Sequence, residues 1–518
     1  MWCADGDPAT HIGYINQIIL SGHLPAQLYY PTFHIYVSQI FLLSNIDIIT
    51  LHKILPFIFG ILYIPFINLL SKFVFSEKSE VLLSTIAGTT LVNGWYLNFI
   101  PNGLANLFFP LVFFIFLKLI SSKSIRWELL ILIIAFFYPL FHPVPVLALL
   151  IIIIISSLPN FAFFEMFNNK IAETKKNWLL GSKITLFTIL LVWGITWLSS
   201  FYIWDRFITN IYTLITEGGP THISSLTHEI NYAQGFGYNV TEQILKTMGG
   251  PIIYSLITIM CFFIFIKGKD NERMEDNKRM HNFFILNSSF LFIWLFMIIL
   301  YFTNSIFAPL RMITYSSMIS TLFVGYLLNY LISKIKKNNL KIEHKRFFTF
   351  SFIVLALLLF LVWINGILTL YPSPYILETS YQTTLSEVDG MNWLFGAKNP
   401  NLEIIGMSLV PFRYAEFLLT PEQKQLQKLH YWEKPDDLTI PFHFGYDNDT
   451  VLSDYYNQNI YMGIDEKDKK IYADVFPKMA KIRWLPSDFE KLNKDISLEK
   501  IYSNKQFEIY YIKGLRSF

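Results

Sequence analysis

The chain has 518 residues, of which 53% are hydrophobic and only 15% charged, with a mean hydropathy of +0.41 and a net charge of +3. Soluble domains carry about 25% charged residues, so this deficit, with many long apolar runs, excludes an ordinary soluble protein and indicates a polytopic membrane protein. The charge is too small to point to nucleic acid. The two cysteines, Cys3 and Cys261, lie far apart and the second sits in an apolar run, which excludes a disulfide framework.

The first thirty-odd residues form one polar run holding Asp5, Asp7, His11, His23 and His34. Asp7-Pro8 followed by Ile12, Ile15, Ile18 and Ile19 predicts a helix with Asp7 as N-cap, Pro8 at its first position and Gly22 as its stop. His11 then lies one turn beyond Asp7 and faces the same way. Helix capping alone accounts for Asp7 as well as a chemical role does. Met1 is followed by polar residues rather than by a cleavable signal peptide. A segment destined for the far side of a membrane but lacking a helix to carry it there is expected to be an N-terminal truncation of a longer product.

Tyr29–Leu43 is apolar but, at about 15 residues, shorter than the ~20 that a span needs, and reads as juxtamembrane. Ten spans follow: Ile54–Phe73, Val81–Phe99, Leu104–Leu119, Leu129–Phe141, Val144–Leu158, Trp178–Trp204, Pro251–Ile266, Phe283–Phe302, Pro309–Ile332 and Phe348–Leu370. A polar loop, Asp205–Gly250, interrupts them. The Lys/Arg-rich loops, such as Lys334–Arg346, all fall on one side when the chain alternates from its first span. The other side, taken as extracytoplasmic, receives the N-terminal segment, the Asp205–Gly250 loop and everything after Tyr371.

The expected fold is therefore an all-α polytopic membrane domain with juxtamembrane helices and a small α/β extracytoplasmic C-terminal domain. Residues 1–50 form the external acidic segment, 51–370 the transmembrane domain and 371–518 the soluble domain. In the last, Leu402–Met407 and Glu508–Lys513 read as strands, and Glu387–Leu394, Tyr414–Leu419 and Pro486–Leu492 as helices. Asn239-Val-Thr241 and Asn448-Asp-Thr450 are acceptor-type tripeptides and weak evidence of modification. No fixed-period repeat is visible.

This topology gathers Asp5, Asp7, His11, His34, Asn102, His142, His222, His228, Glu229 and Arg311 on the extracytoplasmic side. Ionisable groups at a membrane edge are costly and are functional candidates by default. Arg311, in the first turn of a span, suits a bidentate pair with a phosphate; a snorkelling arginine is the competing account. His142 precedes Pro143 at a tight hairpin, where a side chain that satisfies a freed backbone group is the simpler role. His228 and Glu229 lack the spacing of a helical zinc motif, so a substrate-covering loop suits them better than metal ligation. Asp5 and Asp7 offer either a general base toward an acceptor hydroxyl or ligands for a divalent cation, magnesium or manganese.

With those residues in place, the chain resembles the GT-C superfamily of membrane glycosyltransferases, which includes protein O-mannosyltransferases, lipid A aminoarabinose transferases and oligosaccharyltransferase catalytic subunits. The resemblance rests on Asp5-Gly-Asp7, His11, Gly22-His23-Leu-Pro25 and Tyr30-Pro31-Thr-Phe-His34, and on the Pro309-Leu-Arg311 turn. It covers the whole chain in architecture and about 35 residues in motif. The chain departs from the family in two ways: the first transmembrane helix is absent, and the tail has no Trp-Trp-Asp motif, Asp389-Gly-Met-Asn-Trp393 not being one. The second departure argues against the oligosaccharyltransferase branch and for a single-sugar transferase or an unassigned archaeal or bacterial branch.

The resemblance implies inverting transfer from a polyprenyl-phosphate sugar donor to a lipid, glycan or protein acceptor, at the plasma membrane, with no cofactor beyond the divalent cation. It makes Asp7 or Asp5 the base or metal ligand and Arg311 the phosphate partner, with His11, His34, His142, Asn102, His228 and Glu229 around the substrate. A transporter or flippase for a lipid-linked or anionic solute is the principal alternative. The nearly charge-free spans and the lack of repeated halves count against it. A non-enzymatic assembly protein, its tail holding a partner, is the third class.

Overall fold

A computed structural model of the protein describes residues 3–4, 7–26, 28–91, 97–122, 124–157, 173–201, 203–217, 221–235, 238–267, 277–303, 308–337, 340–380, 382–430, 438–448 and 450–515. A two-residue strand, β1 (Cys3–Ala4), leads into α1 (Asp7–Ser21) and α2 (Thr32–Ser44). The expected start and stop of α1 hold: it begins at Asp7-Pro8 and is closed by Gly22, whose φ of +71° a Cβ would disfavour.

The long helices follow: α3 (Ile48–Val74), α4 (Lys78–Thr90), α5 (Pro101–Ser121), α6 (Ile125–Phe141), α7 (Pro143–Ser157), α8 (Glu173–Ser199), α9 (Ile203–Glu217), α10 (His222–Gly235), α11 (Val240–Lys267), α12 (Asn277–Tyr301), α13 (Met312–Lys336) and α14 (Ile342–Leu368). Nine of the ten expected spans each fall mainly within one of these helices. Six helical stretches among the described residues are long and apolar enough to cross a bilayer by themselves: Ile48–Val74, Pro101–Ser121, Val240–Ile264, Asn282–Tyr301, Pro309–Lys336 and Ile342–Leu368. The protein is a multi-pass membrane protein.

Two expectations change. The span expected at Val81–Phe99 is a helix of 13 residues, Lys78–Thr90. It carries Glu80, Ser84 and Thr85 buried, so it packs inside the bundle rather than against lipid. The expected polar loop Asp205–Gly250 is largely helical, as α9, α10 and the first turns of α11. Gly, Ser, Thr and Asn in this stretch hid the helices, because such residues usually mark turns.

After α14 the chain forms a second, smaller body. Strand β2 (Gln382–Thr383) pairs antiparallel with β1, placing Ala4 opposite Gln382. Then come α15 (Leu385–Ala397), β3 (Ile404–Gly406), α16 (Pro411–Leu418), β4 (Ile460–Asp465), α17 (Glu466–Lys470), α18 (Pro486–Leu492), β5 (Leu498–Ser503) and β6 (Phe507–Ile512). The sheet order is β3-β4-β6-β5, parallel between β3 and β4 and antiparallel elsewhere.

All six residues of β4 are buried, as expected of a strand covered on both faces. Ile460, Met462 and Ile464 point into one apolar core with Tyr510 and Ile512. Tyr461 points into the other with Phe507, Ile509 and residues of α15 and α16. One side of α16 is thereby fixed in the tail's own core, and the other side is left to meet α1.

Candidate active site

The N-terminal segment folds so that α1 shows one stripe to α16 and another to α2. Asp7, Thr10 and Gly13, at three-residue intervals, face α16. A Cβ at Gly13 would stand 2.7 Å from the Glu416 carbonyl carbon, so only glycine admits this close approach. Asp7 Oδ1 accepts from Arg413 Nη2 at 2.7 Å. Arg413 Nη1 donates to the Thr10 hydroxyl, which in turn donates to the Glu416 carboxylate. Arg413 is largely buried while the Asp7 side chain keeps 57% of its surface exposed. Sequence reasoning missed Arg413, an isolated cation in a tail that carries many, about 400 residues away in the chain.

The second stripe of α1 carries His11. His11 Nδ1 and His34 Nε2 are 2.9 Å apart and both rings are buried, so one of them donates to the other. Burial, then the Arg413 charge, then His142 hold His11 down to about 3. Burial and His11 push His34 well below its ordinary value, against a weaker opposing hydrogen bond to the Tyr30 backbone. Both rings are neutral at ordinary pH.

Tyr30 links this cluster to the helix bundle. Its ring lies 5.4 Å from that of His142 and 6.3 Å from that of His34. Burial, the neighbouring Tyr29 and the Asp7 carboxylate raise its hydroxyl well above the ordinary range, so Tyr30 remains a protonated donor.

His142 joins α6 to α7, and its Nδ1 accepts from the Val144 backbone N–H at 3.2 Å. That is the freed-backbone role expected beside Pro143. It also fixes the tautomer, because a neutral ring accepting at Nδ1 carries its proton on Nε2. Burial first and the Arg311 charge second lower His142 to about 3.

Arg311 and Asn102 complete this end of the bundle. Tyr315 donates to Asn106 Oδ1 at 2.6 Å, and Tyr138 donates to the Ala105 carbonyl at 3.0 Å. These bonds tie α13, α5 and α6 together at one level. Arg311 lies one turn before Tyr315, Asn102 one turn before Asn106 and His142 one turn after Tyr138, so all three stand one turn beyond that level at the same end. There Arg311 Nε and Asn102 Oδ1 are buried without a hydrogen-bond partner. Among the described residues the Arg311 side chain makes no ion pair. A buried donor on a cation and a buried acceptor left unmatched at the same level are costly, and a bound polar ligand would satisfy them.

The remaining nominated residues stand apart. His228 and Glu229 are exposed on α10, where His228 stacks on Tyr232. The Tyr232 hydroxyl accepts from Arg483 of the tail at 2.7 Å. Among the described residues neither His228 nor Glu229 touches Asp7, His11, His34, His142 or Arg311. Asp5 lies outside the described residues.

Of the two carboxylates expected to hold a divalent cation, Asp7 alone belongs to the described residues. The Asp7 carboxylate already has the Arg413 guanidinium as its cation, and no group of three or more His, Cys, Asp or Glu side chains gathers to hold a metal among the described residues. Among the described residues that leaves a carboxylate, two neutral buried histidines, a tyrosine hydroxyl, a neutral His142 and a guanidinium with no ion pair in one continuous line.

No family model matches the chain, and no curated protein matches it in sequence. Solved structures do. The oligosaccharyltransferase of Archaeoglobus fulgidus, tethered to an acceptor peptide containing an NVT sequon, superposes with a TM-score of 0.55 over 93% of this chain and 69% of its own, at 11% identity. The chain shares the fold of this structure. ArnT from Cupriavidus metallidurans, bound to undecaprenyl phosphate, is similar over 98% of this chain and 94% of its own, with a TM-score of 0.49 and 9% identity. In this chain that fold brings the N-terminal carboxylate of Asp7 and the helix-end cation of Arg311 to one end of the bundle, beside the tail.

Proposed function

We propose that the protein is an inverting membrane glycosyltransferase that moves a sugar from a polyprenyl-phosphate donor to an acceptor hydroxyl or amide on the extracytoplasmic side. The observation that carries this is the line from Asp7 through Tyr30 and His142 to Arg311, with a carboxylate at one end and, at the other, a guanidinium that makes no ion pair among the described residues. The GT-C fold supports the same assignment.

Arg311 holds the donor phosphate, as a planar guanidinium suits two phosphate oxygens. Asp7 takes the acceptor proton as the acceptor atom attacks the anomeric carbon from the face opposite the phosphate. The bond between the anomeric carbon and the phosphate oxygen breaks, and its electron pair leaves with the phosphate. The charge that develops there meets the Arg311 cation in a partly buried setting, where such stabilisation is strong. Asn102 accepts from the donor, and the protonated Tyr30 and neutral His142 line the path between. His11 and His34 hold α1 and α2 together behind the carboxylate. Asp5 is the second candidate carboxylate, while His228 and Glu229 belong at most to the rim of the acceptor side.

The test is transfer of radiolabelled sugar from a polyprenyl-phosphate donor by protein in membranes, comparing wild type with Asp7→Asn and Arg311→Ala. Asp7→Asn should bind donor and fail to transfer, while Arg311→Ala should lose donor binding. Donor carried intact across sealed vesicles, with its sugar–phosphate bond unbroken, would instead make the protein a flippase.

A further inference from the structure

We infer that Arg413 of the tail is a positioning residue for the reaction, and that the tail's docking completes the active site. This rests on Asp7 acting as the base. Three sets of contacts carry it.

The first is the pair itself. The Arg413 fork divides between Asp7 and Thr10, two positions on one face of α1, so it fixes both the direction of the carboxylate and the rotation of the helix. Among the described residues only Oδ1 is engaged, at 2.7 Å, and more than half of the Asp7 side chain stays exposed to an acceptor.

The second is the backing of Arg413. Its guanidinium packs over Phe412 at 4.9 Å, and its neighbour Tyr414 donates to Glu387 Oε2 at 2.8 Å inside the tail. Lys467 Nζ lies 3.2 Å from that carboxylate and 3.4 Å from Asp465. A buried network of this kind sets the position of α16 rather than letting it slide.

The third is that the tail holds the segment from both sides of Asp7. Ala4 is paired with Gln382 on β2, and Lys467 donates to the Gln382 carbonyl at 3.1 Å. Thr10 and Gly13 are fixed on α16 beyond it. The carboxylate lies between two attachments to the same body. A base displaced by about 1 Å loses about 100-fold in rate, so this bracket decides rate without touching substrate.

The experiment is a double-mutant cycle in membranes with a polyprenyl-phosphate sugar: wild type, Asp7→Asn, Arg413→Ala and the double variant, with Arg413→Lys as the conservative partner. Arg413→Ala should lower kcat about 100-fold and leave the donor KM within about twofold. Adding it to Asp7→Asn should cost less than about threefold more, because both act through one carboxylate. Arg413→Lys, which keeps the charge but not the fork, should recover part of the loss, as should added guanidinium with Arg413→Ala. Losses that multiply, or a raised KM with unchanged kcat, would overturn the positioning role while leaving the transferase assignment intact. Wild type that transfers nothing would overturn both. Arg413→Lys also serves if the alanine variant does not fold, since equal inactivity of both, unrescued by guanidinium, would make Arg413 structural only.

Discussion

His142 and His228 both belong to polar segments expected on the same side of the membrane, yet one is buried beside Arg311 and the other is exposed on a helix against the tail. The difference is local. His142 is forced inward because a helix restarts at Pro143 and needs an acceptor for the Val144 N–H. His228 lies on α10, a helix none of whose residues is buried, and stacks on Tyr232. Sharing a side of the membrane gathers residues only coarsely. Convergence requires that each be anchored at the end of a packed helix, as Arg311, Asn102 and His142 are.

The sharpest way to break this contrast is Arg311→Ala. Loss of the cation should lower transfer about 1,000-fold, in line with removal of a group that meets developing charge. A loss under tenfold would mean that phosphate binds elsewhere. Gly13→Val should come next. Its side chain must displace the Glu416 backbone, so α1 should separate from α16, read as faster proteolysis of the N-terminal segment and a transfer rate down by about 100-fold.

Third is acid stability. His11 and His142 are held at about 3 in the folded protein, below the ordinary 6.5. Below about pH 6.5 the unfolded chain takes up protons that these rings refuse, so their contribution to stability is complete above 6.5 and declines as pH falls toward 3. The thermal midpoint in detergent should drop over that window. His142→Asn, which can still accept from Val144, should make the drop shallower. The smallest effect belongs to the control: His228→Ala and Glu229→Ala should each change transfer by less than about twofold. A tenfold loss in either would put α10 over the reacting atoms and erase the contrast.

Much of this architecture was legible in sequence. Apolar runs located nine of the helices of the membrane domain, and the tail's helix at Pro486–Leu492 was read to the residue. Asp7-Pro8 and Gly22 marked α1 because capping chemistry is local. The short α4 was overcalled because Leu97 and Phe99, described outside the helix, prolong its apolar run, and hydropathy does not register where hydrogen bonding ends. Arg311 and His142 were legible for the same reason as α1, since each sits beside a proline that starts a helix. Arg413 was not. Nothing near Pro411 distinguishes it from other tail cations; its importance comes from a partner 406 positions away.

That separation has a consequence for how the protein is made. A ribosome adding about 5–20 residues per second needs roughly 20–80 s to travel from Asp7 to Arg413. Throughout that interval the helices can insert and pack, yet the carboxylate has no clamp. If Arg413 positions Asp7 as proposed, the nascent chain enters the membrane as an unarmed scaffold, and a contact 406 positions apart arms it only once α16 has been made.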